Sequence, residues 1–356
     1  MTPVELSRTV LCAVRRAVDG GELSVSVPAS AVVTPPGAGG CGDFATNIAL
    51  RLAGAAGRPA LEVAEVLRPH LAGAPGVTDV TVTGPGFLNI TLGDGAFAGL
   101  VEEVLEQGTR YGYGDTLAGQ VVELRVPYDT RAEVVADTLV RIVAAQGGRA
   151  EVRHAEPVNL RPVPAPEDPA VLGPDAARWA LLHPAPHDRP RISADHLVQR
   201  ESNPLFRVRY AHARTRALRR NAEGLLGDDL RSPGSRLADI LRTREGVLPG
   251  RRGGLDIADA SGISVLSSQG EADLLAALAE YPHALSVAAL HRAPDRLARH
   301  LVVTADALLG FQHVVLPLGD EKPLAAHRAR LALAEAAGTV LAGGLSLLGI
   351  SAPEYL

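Results

Sequence analysis

The sequence predicts an α+β domain at the N-terminal end, a single β-α-β unit in the middle and an all-helical bundle at the C-terminal end. Three observations carry this. First, two runs of alternating apolar and polar residues, 77–83 and 87–92, flank Gly84-Pro85-Gly86, which is the pattern of a β-hairpin. Second, the strand-like runs 121–126 and 150–154 bracket a helical one, so the two strands should pair in parallel through a right-handed crossover. Third, from Asn203 onward apolar residues recur at three- and four-residue steps.

The chain of 356 residues is long enough for two or three domains with their own cores, and 46% hydrophobic with 21% charged residues is a globular composition. Two cysteines, Cys12 and Cys41, imply no disulfide framework and suit a reducing cytoplasm. No basic leader and no run of about 18 apolar residues stands out, so a soluble, cytoplasmic protein with no membrane partner is expected. The basic residues are arginines apart from Lys322. With a net charge of −5, any polyanion would have to meet a local basic patch.

In chain order, Val4, Leu6, Val10, Leu11, Val14 and Val18 share a helix face that ends at Gly20-Gly21. A Pro/Gly-rich loop at 35–40 leads to Asp43, a plausible cap for a helix on which Phe44, Ile48 and Leu52 stack. Helices at about 60–71 and 95–107 surround the hairpin. In the β-α-β unit the helix runs from Arg131 to Gln146 and stops at Gly147-Gly148. Residues 157–172 are proline-rich and read as an extended linker. Ser202 or Asn203 can cap the next helix, with Pro204 at its first position. Its face of Val208, Ala211, Thr215, Leu218 and Ala222 is apolar, while Arg209, Arg216 and Arg220 align within about 40° of one another. Residues 227–262 are rich in glycine and arginine, and Arg251-Arg252-Gly253-Gly254 reads as either a solvated loop or a phosphate-contacting arm. Further helices are expected at 269–281, stopped by Pro282, then at 284–291, 294–312 and 323–348.

The stretch Asn203 to Arg214 resembles the N-P-x-x-Y-V-Q-Y-A-H-A-R pattern of the anticodon-binding (DALR-type) domain of arginyl-tRNA synthetases, class I enzymes. It keeps Asn203, Pro204, Val208, Tyr210, Ala211, His212, Ala213 and Arg214, with Arg207 and Arg209 in place of Tyr and Gln. The segments His327 to Ala337 and Gly343 to Glu354 are similar to that domain's last helix and terminus, and Gly173 to Leu182 to the stem before it. The segments Gly42 to Ala53 and Gly84 to Ile90 are similar to the family's N-terminal additional domain. The resemblance implies an N-terminal additional domain at 1–115, a truncated catalytic remnant with linker at 116–172, and a stem with anticodon-binding bundle at 173–356.

Two family signatures are missing. Where the H-x-G-H loop should follow the first catalytic strand, Val126-Pro127-Tyr128-Asp129-Thr130 runs straight into the helix. K-M-S-K-S needs two neighbouring lysines, which a chain with only Lys322 does not hold. Those imidazole and ammonium groups stabilise charge developing on phosphates during adenylate formation, so amino-acid activation is expected to be lost. The C-terminus also departs, with Tyr355-Leu356 in place of Arg-Met and Phe311-Gln312-His313 where an aromatic pair is usual.

The resemblance therefore implies a non-catalytic tRNA-binding protein, with tRNA-Arg as the expected partner, presenting or sequestering it for a separate tRNA-dependent enzyme and needing no cofactor. Expected phosphate contacts are Arg209, Arg214, Arg216 and Arg220, with Tyr210 stacking on a base. Arg328 and Arg330, in the family-like last helix, are further expected contacts. Asn47 and Asn89 could reach RNA from the N-terminal domain or serve the backbone locally, and His212 is either a contact or a packing residue. Two other readings stay open: a protein-interaction scaffold, and a small-molecule or catalytic role at Tyr128, Asp129, Arg131 and Asp137. No metal site is expected, because Pro184 and Pro186 break the helix that would bring His183 and His187 together.

Overall fold

The computed structural model describes residues 3–34, 36, 41–226, 269–317 and 325–356. The Gly37–Gly40 loop and the arginine-glycine stretch at 227–262 lie outside the described residues. Two compact units emerge, one within the first hundred residues and one from Val101 onward.

In the first unit, helices α1 (Pro3–Asp19), α2 (Ile48–Ala56) and α3 (Ala60–Ala72) accompany a four-stranded antiparallel sheet. Its strands are β1 (Val33–Thr34), β2 (Phe44–Thr46), β3 (Val77–Thr83) and β4 (Phe87–Leu92), in the order β1-β2-β4-β3. Leu6, Val10 and Val14 of α1 meet Val63, Leu67 and Leu71 of α3 and the inward residues Val80, Leu88 and Ile90 of the hairpin. The period of 3.6 on the helices and 2 on the strands thus converges on one core. One expectation fails. Phe44 to Thr46 form a strand rather than the first turn of α2, because the Asp43 carboxylate accepts from the Leu92 amide at 2.8 Å and draws the chain alongside β4. Gly42 makes that approach possible, since a Cβ there would stand 2.9 Å from the Ile90 carbonyl oxygen. Helix α4 (Asp94–Gln107) follows the sheet.

In the second unit, β5 (Val121–Arg125) and β6 (Arg149–Arg153) pair in parallel across α5 (Thr130–Ala145), in the predicted order of elements. Helix α6 (Pro174–Leu182) leads to a bundle of α7 (Pro204–Leu226), α8 (Gln269–Leu290), α9 (Pro294–Phe311) and α10 (Ala325–Leu348). The secondary structure is thus mostly helical, with an α+β N-terminal part and an all-helical C-terminal part.

Pro282 does not stop α8; one helix replaces the two expected at 269–281 and 284–291. A proline leaves the carbonyl four residues earlier without its amide partner, which here is that of Leu278. The buried hydroxyl of Tyr111 donates to that oxygen at 3.2 Å. Gly112, at φ 82°, lets the chain pass the Tyr281 ring, which a Cβ would approach to 2.9 Å.

Among the described residues one helix contains an 18-residue window of membrane-spanning hydropathy: the window lies within His327–Leu348 and has a mean hydropathy of 1.7. Its apolarity belongs to the bundle, since 72% of that window is buried among neighbouring parts of the protein. Gly338 and Gly344 of α10 sit where a Cβ would stand 2.3 Å from the Thr215 hydroxyl and 2.4 Å from Leu301.

The bundle also carries a pH dependence. His300 is half-buried with Nε2 2.9 Å from the Ala277 carbonyl, so that nitrogen carries the proton. Burial pushes its pKa down from 6.5 to about 4. Burial lowers His183 likewise to about 4. Between these values the unfolded chain binds more protons than the folded one, so stability rises with pH. The unit is expected to lose stability as pH falls from about 6.5 to 4, by up to ~3 kcal/mol from His300 alone. Urea midpoints at both pH values check this. His300→Gln, which keeps a donor and cannot ionise, should flatten the dependence.

Candidate nucleic-acid interface

Helix α7 buries Leu205, Val208, Ala211, Leu218 and Ala222 in the bundle, as its apolar spacing requires. Asn203 anchors its start: the side-chain amide donates to the His196 and Val198 carbonyls and its oxygen accepts from the Leu205 amide at 3.1 Å. The polar face is therefore fixed in rotation, but its arginines do not form one uniform stripe.

Arg209 is half-buried. Its guanidinium lies 3.7 Å from the Asp175 carboxylate and 3.4 Å from the Ser351 hydroxyl. This departs from the expected phosphate contact, because an acid of the preceding stem already answers the charge. Arg207 is likewise held by both carboxylate oxygens of Asp306 at 2.9 Å. Arg214 donates to the Gln312 side-chain oxygen at 2.7 Å. What remains outward is Arg216, Arg219 and Arg220, of which Arg219 is 3.6 Å from Glu335. Arg220 sits over the Tyr355 ring, 4.4 Å from its centroid, a cation–π contact. Tyr210 is 38% exposed and stacks on Phe206 with ring centroids 5.5 Å apart, leaving an edge of the pair to solvent.

The last residues of the chain lie along this face. The Ser351 amide and hydroxyl donate to Asp175, and the Pro353 carbonyl accepts from Nδ1 of His212 at 2.9 Å. Burial lowers the His212 pKa, so the ring stays neutral and serves packing. Tyr355, 70% exposed and set under the Arg220 guanidinium, and Arg219 are site candidates that the sequence reading misses. The only signal available was an aromatic residue next to the terminus.

The other expected contacts are placed differently. Arg330 donates to Glu271 at 2.6 Å, and that carboxylate is fully buried, which makes the pair a tie between α10 and α8 rather than a surface cation. Arg328 is half-buried, with its Nε buried and unpartnered among the described residues. Asn89 is 2% exposed in the central strand β4 and donates to Thr83 Oγ1 at 2.6 Å, so it serves the hairpin rather than a surface. Asn47 is half-buried and makes no side-chain cap, contrary to its expected local role. Thr46 Oγ1 accepts from the Ile48 amide instead.

The small-molecule candidates around α5 are also spoken for. Asp129 caps the helix by accepting from the Ala132 amide at 2.9 Å. Arg131, 1% exposed, spends all five of its N–H donors on backbone carbonyls: Leu181, Val163, Asp188, Pro184 and Ala185, at 2.7–3.0 Å. Desolvation lowers its pKa although Asp129, Asp188 and Asp295 oppose the shift. Asp137 accepts from Arg178 and Arg141, whose Nε atoms also cap the Leu348 and Leu347 carbonyls at the end of α10. Burial would raise its pKa, but those hydrogen bonds prevail and hold it low. Tyr128 is the most open of these candidates, 86% exposed and stacked on His154.

Family models match both units: the DALR anticodon binding domain over residues 208–356 and the arginyl tRNA synthetase N terminal domain over residues 5–92. The chain joins an arginyl-tRNA synthetase N-terminal domain to a DALR anticodon-binding domain. Among its relatives, the arginine–tRNA ligase of Frankia alni is 38% identical over 157 residues, 41% of this chain and 28% of the relative. That of Paenarthrobacter aurescens is 40% identical over 161 residues, 41% of this chain and 29% of the relative. The match thus spans less than a third of the length of these ligases. The solved arginyl-tRNA synthetase of Thermus thermophilus shares the fold with a TM-score of 0.62 at 13% identity, covering 100% of both chains. The Plasmodium falciparum arginyl-tRNA synthetase gives 0.53 at 10% identity, covering 99% of each. Helix α7, where the DALR match begins, carries the outward arginines and the Phe206–Tyr210 pair described above.

Proposed function

We propose that this protein binds tRNA without charging it, with tRNA-Arg as the preferred partner, and holds or presents that tRNA to a separate enzyme. The observation that carries this reading is the set of exposed arginines on α7 in the DALR domain, Arg216, Arg219 and Arg220, with the Tyr355 ring under Arg220 and the exposed Tyr210 earlier on the same helix. Cations that track phosphates beside aromatic faces suit a single-stranded loop. Against a net charge of −5, this is the local basic patch a polyanion requires. The loss of chemistry is supported by an internal gap: the loop after β5 has no H-x-G-H, and Arg131 behind it is committed to five carbonyls. With Asp129 and Asp137 also engaged, nothing favours a small-molecule role there over RNA binding.

Fluorescence anisotropy with tRNA-Arg and an unrelated tRNA, across a salt series, tests the reading. Binding should fall steeply with salt through counterion release. Arg216→Gln with Arg220→Gln should leave the melting temperature nearly unchanged, since exposed charges contribute little to stability. The same change should flatten the slope of log affinity against log salt by about two units or slightly less. No arginine-dependent ATP–pyrophosphate exchange is expected. Exchange that copurifies with the protein would restore the ligase reading. Absence of tRNA binding at low salt, or an unchanged slope in the double variant, would leave the domains as a scaffold for a protein partner.

A further inference from the structure

Among the described residues the β5–β6 pair is a two-stranded parallel sheet, and its two outer edges are treated differently. The edge of β5 is closed by Asn159. Its side-chain oxygen accepts from the Arg125 amide at 2.8 Å, its side-chain nitrogen donates to the Glu123 carbonyl at 3.0 Å, and its own amide donates to the Arg125 carbonyl. One asparagine thereby imitates the neighbouring strand. Among the described residues the edge of β6 has no such plug. The Arg149 amide donates to Gln120 and the Arg153 carbonyl accepts from Val126, so residues 149, 151 and 153 face β5. The amides and carbonyls of Ala150 and Val152 then point outward, as alternation in a ladder requires. No hydrogen bond to either outward group occurs among the described residues. Val152 is 41% exposed at this edge, although its ladder partner Leu124 is fully buried.

We propose that this edge is an interface with a second copy of the chain, in which β6 pairs antiparallel with β6 of the partner across a two-fold axis at Val152. The charge pattern of Arg149-Ala150-Glu151-Val152-Arg153 argues for the occupant and the register. With the axis at Val152, the outward-pointing backbone of each Val152 meets the other in a hydrogen-bonded pair, and each Glu151 stands opposite Arg153 of the other copy. With the axis at Glu151, the carboxylates would face one another and Arg149 would face Arg153, a like-charge arrangement that cross-strand pairs disfavour. The axis at Ala150 also balances charge but sets Val152 against Gly148, forgoing apolar contact. The chosen register joins the two pairs into a four-stranded sheet with α5 on the same side in both copies. Within one copy Glu151 already pairs with Arg149 and, at 2.9 Å, with Arg153, so the added copy extends an existing ion network.

Sedimentation of the full chain over a wide concentration range tests this. A concentration-dependent dimer is expected. Glu151→Arg should weaken it about tenfold or more by opposing like charges in two symmetric pairs, and Glu151→Arg with Arg153→Glu should restore it. The register centred on Ala150 is not restored by that swap, because there Arg149 would still face the positive charge introduced by Glu151→Arg. Circular dichroism confirms that each variant is folded. In a Cys12→Ser, Cys41→Ser background, Val152→Cys should cross-link on oxidation, because a hydrogen-bonded antiparallel pair sets Cα atoms about 5.5 Å apart. A chain that stays monomeric at the highest concentration overturns the proposal. So does a dimer indifferent to the charge changes, or one that Val152→Cys does not cross-link.

Discussion

Arg131→Met is expected to destabilise the helical unit by more than ~3 kcal/mol, a large part of the ~5–15 kcal/mol that holds a domain folded. The change keeps much of the apolar stem and removes every donor. Five carbonyls from four places in the chain, at Val163, Leu181, Pro184-Ala185 and Asp188, lose their partner together. Each buried acceptor left unsatisfied costs roughly 1–3 kcal/mol before the loop relaxes and admits water. Arg131→Lys should fall between wild type and Met, because an ammonium has three donors and no planar fork. Urea unfolding followed by circular dichroism measures the order. If Met lies within about 1 kcal/mol of wild type, water replaces the guanidinium and the segment 163–188 is held by other contacts.

Arg330→Met should cost a similar ~3–5 kcal/mol, since it strips the cation from a fully buried carboxylate. The informative comparison is the double variant Glu271→Leu with Arg330→Met. Removing both charges should recover much of the loss, because an apolar pair avoids the desolvation that the ion pair must overcome. The folded double variant should bind tRNA as wild type does, with an unchanged salt slope. A weaker slope at full stability would instead return Arg330 to the RNA surface. Denaturation midpoints and anisotropy on the same samples separate the two.

These two arginines mark the boundary of what the sequence makes legible. The hairpin can be read to the residue, 77–83 and 87–92, because alternation and Gly84-Pro85-Gly86 are local signals. The β-α-β unit and the helix from Pro204 are equally local. Strand β2 escapes because three residues are too short to show a period, and what holds it, Asp43 on the Leu92 amide, spans the whole hairpin. For the candidate site, the apolar face of α7 is legible and so is the alignment of its arginines. Which of those arginines are answered is not, since Asp175, Asp306 and Gln312 come from other elements. A sequence shows that a guanidinium is present; only the fold shows whether it is spent. The same holds for Asn89, whose partner Thr83 lies across the turn.

The Tyr111 hydroxyl on the Leu278 carbonyl makes two distant positions mutationally dependent. With Pro282 in place, Tyr111→Phe orphans a buried acceptor. Once Pro282 is replaced by alanine, the helix supplies its own amide and the hydroxyl becomes dispensable, even a competitor. The order in which the two positions change therefore decides whether an intermediate sequence is viable, and their effects in a double-mutant cycle should not add. A lineage that has fixed the proline is committed to the tyrosine, and the close packing of Gly112 on Tyr281 and Pro282 commits it to that glycine as well.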